Sequence, residues 1–309
     1  MLTDMLGASV IGDISKILKK TMKQEKYSLT RELIMSFFFL VCSLNLFGQM
    51  DADINKERIK ANNIKEQHTY IFNLQTGDSL LTNIIVYDVN GNFLKDKRYN
   101  EKGVVVFKFV AEYNTDSLLH KLIVYDQNGV VQSTTIWEYD EQGNQVDYKQ
   151  VSPTEGILVH QKRKYNDRGQ DIEVLNIERN SDKFFKAQEN QYRTDGKLLK
   201  TISFNPNGRI TVTDLYEYDN NGNEIAIYEV VGRERDLVST SKYNDKNQRI
   251  EQNLRTILGM GWDGKLIFGE GSKATIYVYD KEGNITEERV YEKDELKELT
   301  KYYYEKFDI

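Results

Sequence analysis

Three histidines, one cysteine and 48 aspartates and glutamates are the groups of this 309-residue chain that could carry acid–base, nucleophilic or metal chemistry. His68, His120 and His160 show no metal-ligand spacing and read as surface or strand residues. Cys42, the only cysteine, lies inside an apolar segment near the N-terminus. If that segment is removed, the mature chain has no thiol, which excludes disulfides, cysteine zinc sites and thiol nucleophiles. The chain has no Gly-x-Ser-x-Gly elbow and no phosphate-binding loop. Gly259-Met260-Gly261-Trp262-Asp263-Gly264 matches the dinucleotide pattern, but that chemistry needs a helix N-terminus after the glycines to hold the pyrophosphate. Lys265-Leu266-Ile267-Phe268 reads as strand instead. The turn oxygens of Asp219-Asn220-Asn221-Gly222-Asn223 resemble calcium ligands, yet an EF-type loop places its glycine sixth, and here it is fourth. Carboxylates could flank a glycosidic bond, but the sequence does not show which pair would meet. The expectation is a non-enzymatic protein with no metal and no cofactor.

What must position these residues is a repeat. The phrase Tyr-Asp-x-x-Gly-Asn begins at Tyr87 and returns, with variations, near Tyr125, Tyr139, Tyr218 and Tyr279. Major anchors fall at Tyr87, Tyr113, Tyr139, Tyr165, Tyr192, Tyr218 and Tyr243, with successive gaps of 26, 26, 26, 27, 26 and 25 residues. Half-step anchors at Tyr99, Tyr125 and Phe204 split each period into two strand-plus-turn lengths. Asp or Asn at the first position suits a type I turn, because its side chain accepts the backbone N–H two residues on. Glycine three residues later takes positive φ without a Cβ clash. Gly91, Gly129, Gly143, Gly222 and Gly283 are therefore expected to be structural turn residues.

Strand alternation places Ile210, Val212, Tyr216 and Tyr218 on one face, and polar residues such as Glu112, Glu138 and Glu217 precede the major anchors. The tyrosine-bearing face is the expected packed face. Cross-strand aromatic packing is one role for the ladder, and an exposed sugar-stacking platform is the other. The fold class is all-β, a long antiparallel hairpin array coiled into a superhelical or partly closed sheet. Units of about 13 residues from Tyr70 to Tyr304 give roughly 18 strands. Tyr302-Tyr303-Tyr304 reads as the closing strand.

The Tyr-Asp-x-x-Gly-Asn turn, joined to strands with aromatics two apart, as in Tyr216/Tyr218 and Tyr277/Tyr279, resembles the YD-repeat (RHS-like) family of bacterial exported proteins. Large members of that family resemble hollow β-shells that enclose a toxin behind a Pro- and Gly-rich cleavage segment. This chain has two prolines, Pro153 and Pro206. The resemblance implies a short stand-alone exported repeat protein without a toxin domain.

Residues 33–47 form an apolar run preceded by Lys16, Lys19, Lys20, Lys23, Lys26 and Arg31. That is the pattern of a secretory signal, with cleavage expected between Gly48 and Gln49. The run is short for a membrane span, which needs about 20 apolar residues, so no span is expected in the mature chain. The expected organisation is an extension and signal over 1–48, a short helix or linker over 49–69, and the repeat domain over 70–309. The chain carries a net charge of −6, and residues 49–309 carry −8. That balance argues against nucleic acid as a partner.

The gap from Tyr243 to Tyr279 exceeds the period by ten residues and contains Trp262, Asp263 and Phe268. An insertion not needed for stacking is the expected place for a binding site, with Trp262 as the main contact. A longer hairpin whose Trp covers the core is the other reading. The expected function is a binding or scaffolding surface for a protein or glycan in the periplasm, at the outer-membrane surface or outside the cell. The alternatives are a shell or accessory part of a toxin or secretion system, and an exported carbohydrate-active enzyme.

Overall fold

The computed structural model describes residues 56–177, 182–260 and 266–308, with side chains outside 257–268 and 270. The expected signal, its cleavage point at Gly48 and Gln49, and Trp262 and Asp263 lie outside the described residues. Residues Arg58–Ile309 form one compact unit. A short helix, α1, covers residues 56–61.

Eighteen strands follow among the described residues, as the period predicts. The first six are β1 (Ile64–Phe72), β2 (Ser79–Tyr87), β3 (Phe93–Tyr99), β4 (Val105–Tyr113), β5 (Leu119–Asp126) and β6 (Val131–Tyr139). The next six are β7 (Gln145–Ser152), β8 (Gly156–Tyr165), β9 (Asp171–Ile177), β10 (Phe184–Tyr192), β11 (Leu198–Phe204) and β12 (Ile210–Tyr218). The last six are β13 (Glu224–Val231), β14 (Glu234–Tyr243), β15 (Arg249–Met260), β16 (Leu266–Tyr279), β17 (Ile285–Glu292) and β18 (Glu295–Lys306). The array begins at Ile64, ahead of the expected start at residue 70. The long gap after Tyr243 is spent on longer strands, 12 residues in β15 and 14 in β16.

Each strand pairs antiparallel with the next, and β1 pairs with both β2 and β18. The sheet is therefore a fully closed barrel rather than the superhelical or partly closed sheet expected from sequence. Closure removes both sheet edges. At about 4.8 Å between strands and a tilt near 40°, a round ring of this size would span roughly 35 Å between backbones. A ring of 16 to 18 strands is too wide for its own side chains to fill.

The turn phrase explains itself atom by atom. Asp88 Oδ1 accepts from the N–H groups of Asn90 and Asn92, both at 2.8 Å. Its Oδ2 accepts from Asn92 Nδ2 at 2.8 Å. Gly91 N–H closes the turn on Asp88 O at 3.0 Å with φ of +78°. The same bonds recur from Asp140 to Asn144 and from Asp219 to Asn223. Those side-chain bonds from Asn144 and Asn223 hold the Asp140 and Asp219 carboxyls below the usual range. Asn247 and Ser117 stand at the glycine position of two turns with φ of +58° and +62°.

The anchor tyrosines fasten the wall. Tyr113 OH donates to Phe93 O at 2.8 Å, Tyr139 OH to Leu119 O at 2.7 Å, and Tyr165 OH to Gln145 O at 2.8 Å. Tyr192, Tyr218, Tyr243, Tyr279 and Tyr304 repeat this bond to the first residue of a preceding strand. Cross-strand packing, not an exposed platform, is thus the role of this ladder. Burial pushes the Tyr139, Tyr165 and Tyr192 hydroxyls up to about 12.

Candidate functional site

Alternation along the strands divides the barrel into two walls. The anchor-tyrosine face holds most of the buried residues, including Asp96, Phe109, Val124, Thr135, Tyr148, Val174, Thr201, Val212 and Glu229, and is the inner wall. Helix α1 rests on it: Ile59, at 0% exposure, packs with Ile64, Tyr87, Ile85, Phe93 and Tyr304. Arg58 and Asn62 both donate to Asn284 Oδ1, at 2.8 and 2.9 Å, tying the helix to the turn before β17.

The other face is the outer wall and is charged along its length. Lys121 pairs with Glu112, Lys164 with Glu173, Lys242 with Glu251, and Lys301 with Glu287 across neighbouring strands. The half-step aromatics lie here under cations: Lys108 Nζ is 5.4 Å from the Tyr125 ring and Lys186 Nζ 4.5 Å from the Phe204 ring.

Two rows of inner-wall residues carry chemistry. The first crosses five strands, because Trp137 pairs with Tyr148, Tyr148 with Gln161, Gln161 with Asn176, and Asn176 with Phe185. Trp137 and Tyr148 meet edge to face at 5.8 Å. The Gln161 and Asn176 side-chain amides form no hydrogen bond among the described residues. The half-buried Trp137 and Phe185 rings offer stacking faces beside the Gln161 and Asn176 donors and acceptors, and the buried Tyr148 supports Trp137.

The second row runs from Asn190 through Thr201, Asp214 and Glu229 to Asp236. Thr201, fully buried, donates to Asn190 Oδ1 at 2.9 Å. Asp214 sits opposite Glu229, which is only 3% exposed. Burial, reinforced by the Glu229 charge, pushes the Asp214 carboxyl up to about 7. Asp236 is held by Arg255 at 2.8 Å. This row can hold a proton near neutrality.

The histidines separate. His160 Nε2 lies 2.9 Å from Asp147 on the outer wall, His120 Nδ1 lies 3.1 Å from Trp137 O, and His68 lies between Glu66 and Glu305. The turn glycines Gly91, Gly129, Gly143, Gly222 and Gly283 have φ between +78° and +89°. The backbone of Phe268 lies in β16, where it pairs with Ile257. Neither inner row was found from sequence, because its members lie on five different strands and no local motif marks them.

No family model matches the chain, and no curated protein matches it. Among solved structures, it is similar over 75% of its length to a TcdB2-TccC3-Cdc42 complex, at 13% identity and a TM-score of 0.32, and spans 14% of that chain. A Photorhabdus luminescens Tc holotoxin pore gives 14% identity and 0.32, over 74% of this chain and 13% of that one. A porin-like protein from Bacteroides uniformis gives 11% identity and 0.41, over 79% of this chain and 97% of that one. These scores lie below those of a shared fold. Among the described residues no helix is long and apolar enough to cross a membrane.

Proposed function

We propose that the protein is an exported, non-enzymatic barrel that binds a glycan along its inner wall. The observation that carries this reading is the row Trp137, Gln161, Asn176 and Phe185, half-buried on the inner wall, with the buried Tyr148 packed edge to face beside Trp137. Sugar rings offer C–H faces to aromatic rings and hydroxyl pairs to amides. Five strands at about 4.8 Å give a strip about 19 Å long, the scale of a short oligosaccharide. The signal-like N-terminus supports export. The outer wall supports a barrel immersed in water rather than lipid. Lys108, Lys121, Lys162 and Lys242 project from it, and a lysine facing lipid at the bilayer midplane costs about 2–4 kcal/mol.

The test is a glycan array and calorimetric titration of the mature chain beside Trp137→Ala and Gln161→Ala. Binding lost in both variants, with unfolding midpoints that permit folding, supports the row. Glycan binding untouched by both, or none by the parent, overturns it. A polypeptide copurifying inside the barrel would instead favour a shell role in a toxin or secretion system.

A further inference from the structure

The ring closes where β1 meets β18, and one cluster of side chains sits on that seam. Glu66 and His68 are two residues apart on β1, so both project from the outer wall. Glu305 stands directly opposite Glu66 across the seam. His68 Nε2 lies 3.1 Å from Glu66 Oε2 and 3.6 Å from Glu305 Oε1, and one ligand atom from each of the three residues lies within 4.8 Å of the others. Ligand atoms bonded to one metal at about 2.0–2.2 Å lie roughly 3–3.5 Å apart, so the three atoms are already near such a polyhedron.

Electrostatics points the same way. Two carboxylates directly opposite on paired strands repel. Among the described residues neither Glu66 nor Glu305 is ion-paired with a lysine or arginine, and His68 is their shared neighbour. The Glu66 and His68 side chains are 25% and 19% exposed, while Glu305 is 60% exposed and leaves a side open to water ligands.

We propose that Glu66, His68 and Glu305 bind a divalent transition metal of the zinc type, cross-linking the first strand to the last. One imidazole nitrogen with two carboxylate oxygens suits zinc better than calcium or magnesium, which favour all-oxygen sites. Residues 66 and 305 are almost the full length of the barrel apart in sequence, so the metal would clamp the one junction that no hairpin turn secures.

The test uses the full chain without an affinity tag, stripped with chelator and titrated with zinc chloride by calorimetry. One equivalent should bind, and the unfolding midpoint should rise by several degrees. His68→Ala and Glu305→Gln should each weaken binding at least about tenfold and abolish the midpoint shift. His160→Ala, on another strand, should change neither. Because Glu305 is exposed, Glu305→Gln keeps the test valid if His68→Ala fails to fold. Absence of saturable zinc binding, or binding unchanged by Glu305→Gln, would overturn the site.

Discussion

Asp214 and Glu251 are carboxylates of one continuous sheet, on β12 and β15, and their surroundings drive them in opposite directions. Asp214 faces inward, where burial and the charge of Glu229 raise its carboxyl to about 7. Glu251 faces outward, where hydrogen bonds from Lys242 and Asn253 hold its carboxyl below the usual range. Glu189 beside Lys186 and Glu287 beside Arg289 are lowered in the same way, while burial raises Asp171 and Glu288 on the inner wall. The pleat sends alternate residues to two surroundings: a charged, more exposed surface outside, and a concave, more buried one inside. Burial on the inner wall therefore raises its carboxyls, whereas most outer-wall carboxyls are lowered by their own cross-strand and neighbouring partners.

The largest expected difference between the walls is steric. Tyr148 is 3% exposed, so Tyr148→Ala should cost about 3–5 kcal/mol in chemical denaturation. Tyr125→Ala, on the outer wall under Lys108, should cost about 1 kcal/mol or less beyond its smaller buried area. Equal costs would mean that the walls are not distinct.

Asp214→Asn probes the electrostatic difference. The Asp214 carboxyl rises from 3.8 to about 7 on folding. Between these pH values the folded protein keeps a proton that the unfolded chain has released. Stability is thus full below about pH 4, falls as pH rises, and by pH 8 has lost up to about 4 kcal/mol from this group. The asparagine variant should match the parent at pH 4 and unfold at a higher temperature at pH 8. Thermal scans across this range check it, and parallel curves for the two proteins would contradict the buried pair.

The tyrosine fasteners come next. Tyr139→Phe deletes a donor to Leu119 O and should cost about 1 kcal/mol, whereas Tyr125→Phe should be silent. Smallest of all, Glu251→Gln should cost less than about 1 kcal/mol, because its Lys242 partner is 65% exposed. Adding salt should erase that difference and leave the Tyr139→Phe penalty in place.

The repeat was legible because its causes are local. Asp88, Gly91 and Asn92 build one turn from atoms within five residues, so the phrase recurs at every turn built this way, while reversals such as Gly232-Arg233 and Lys293-Asp294 use shorter turns without it. The candidate rows were not legible for the opposite reason. Trp137 and Asn176, or Asp214 and Asp236, become neighbours in a row only after several strands have paired in one register.

The sequence by itself determined the all-β class, the hairpin period, the strand number, the turn chemistry and the face that the tyrosines bury. These follow from side-chain hydrogen bonds and backbone preferences acting over a few residues, and from a pleat of period two. Tertiary structure alone decided that the array closes. Closure depends on tilt and stagger accumulated over eighteen strands, a sum of small register shifts that no single repeat encodes. Through closure it also decided which residues share the inner wall, and that Glu66 and His68 of the first strand meet Glu305 of the last.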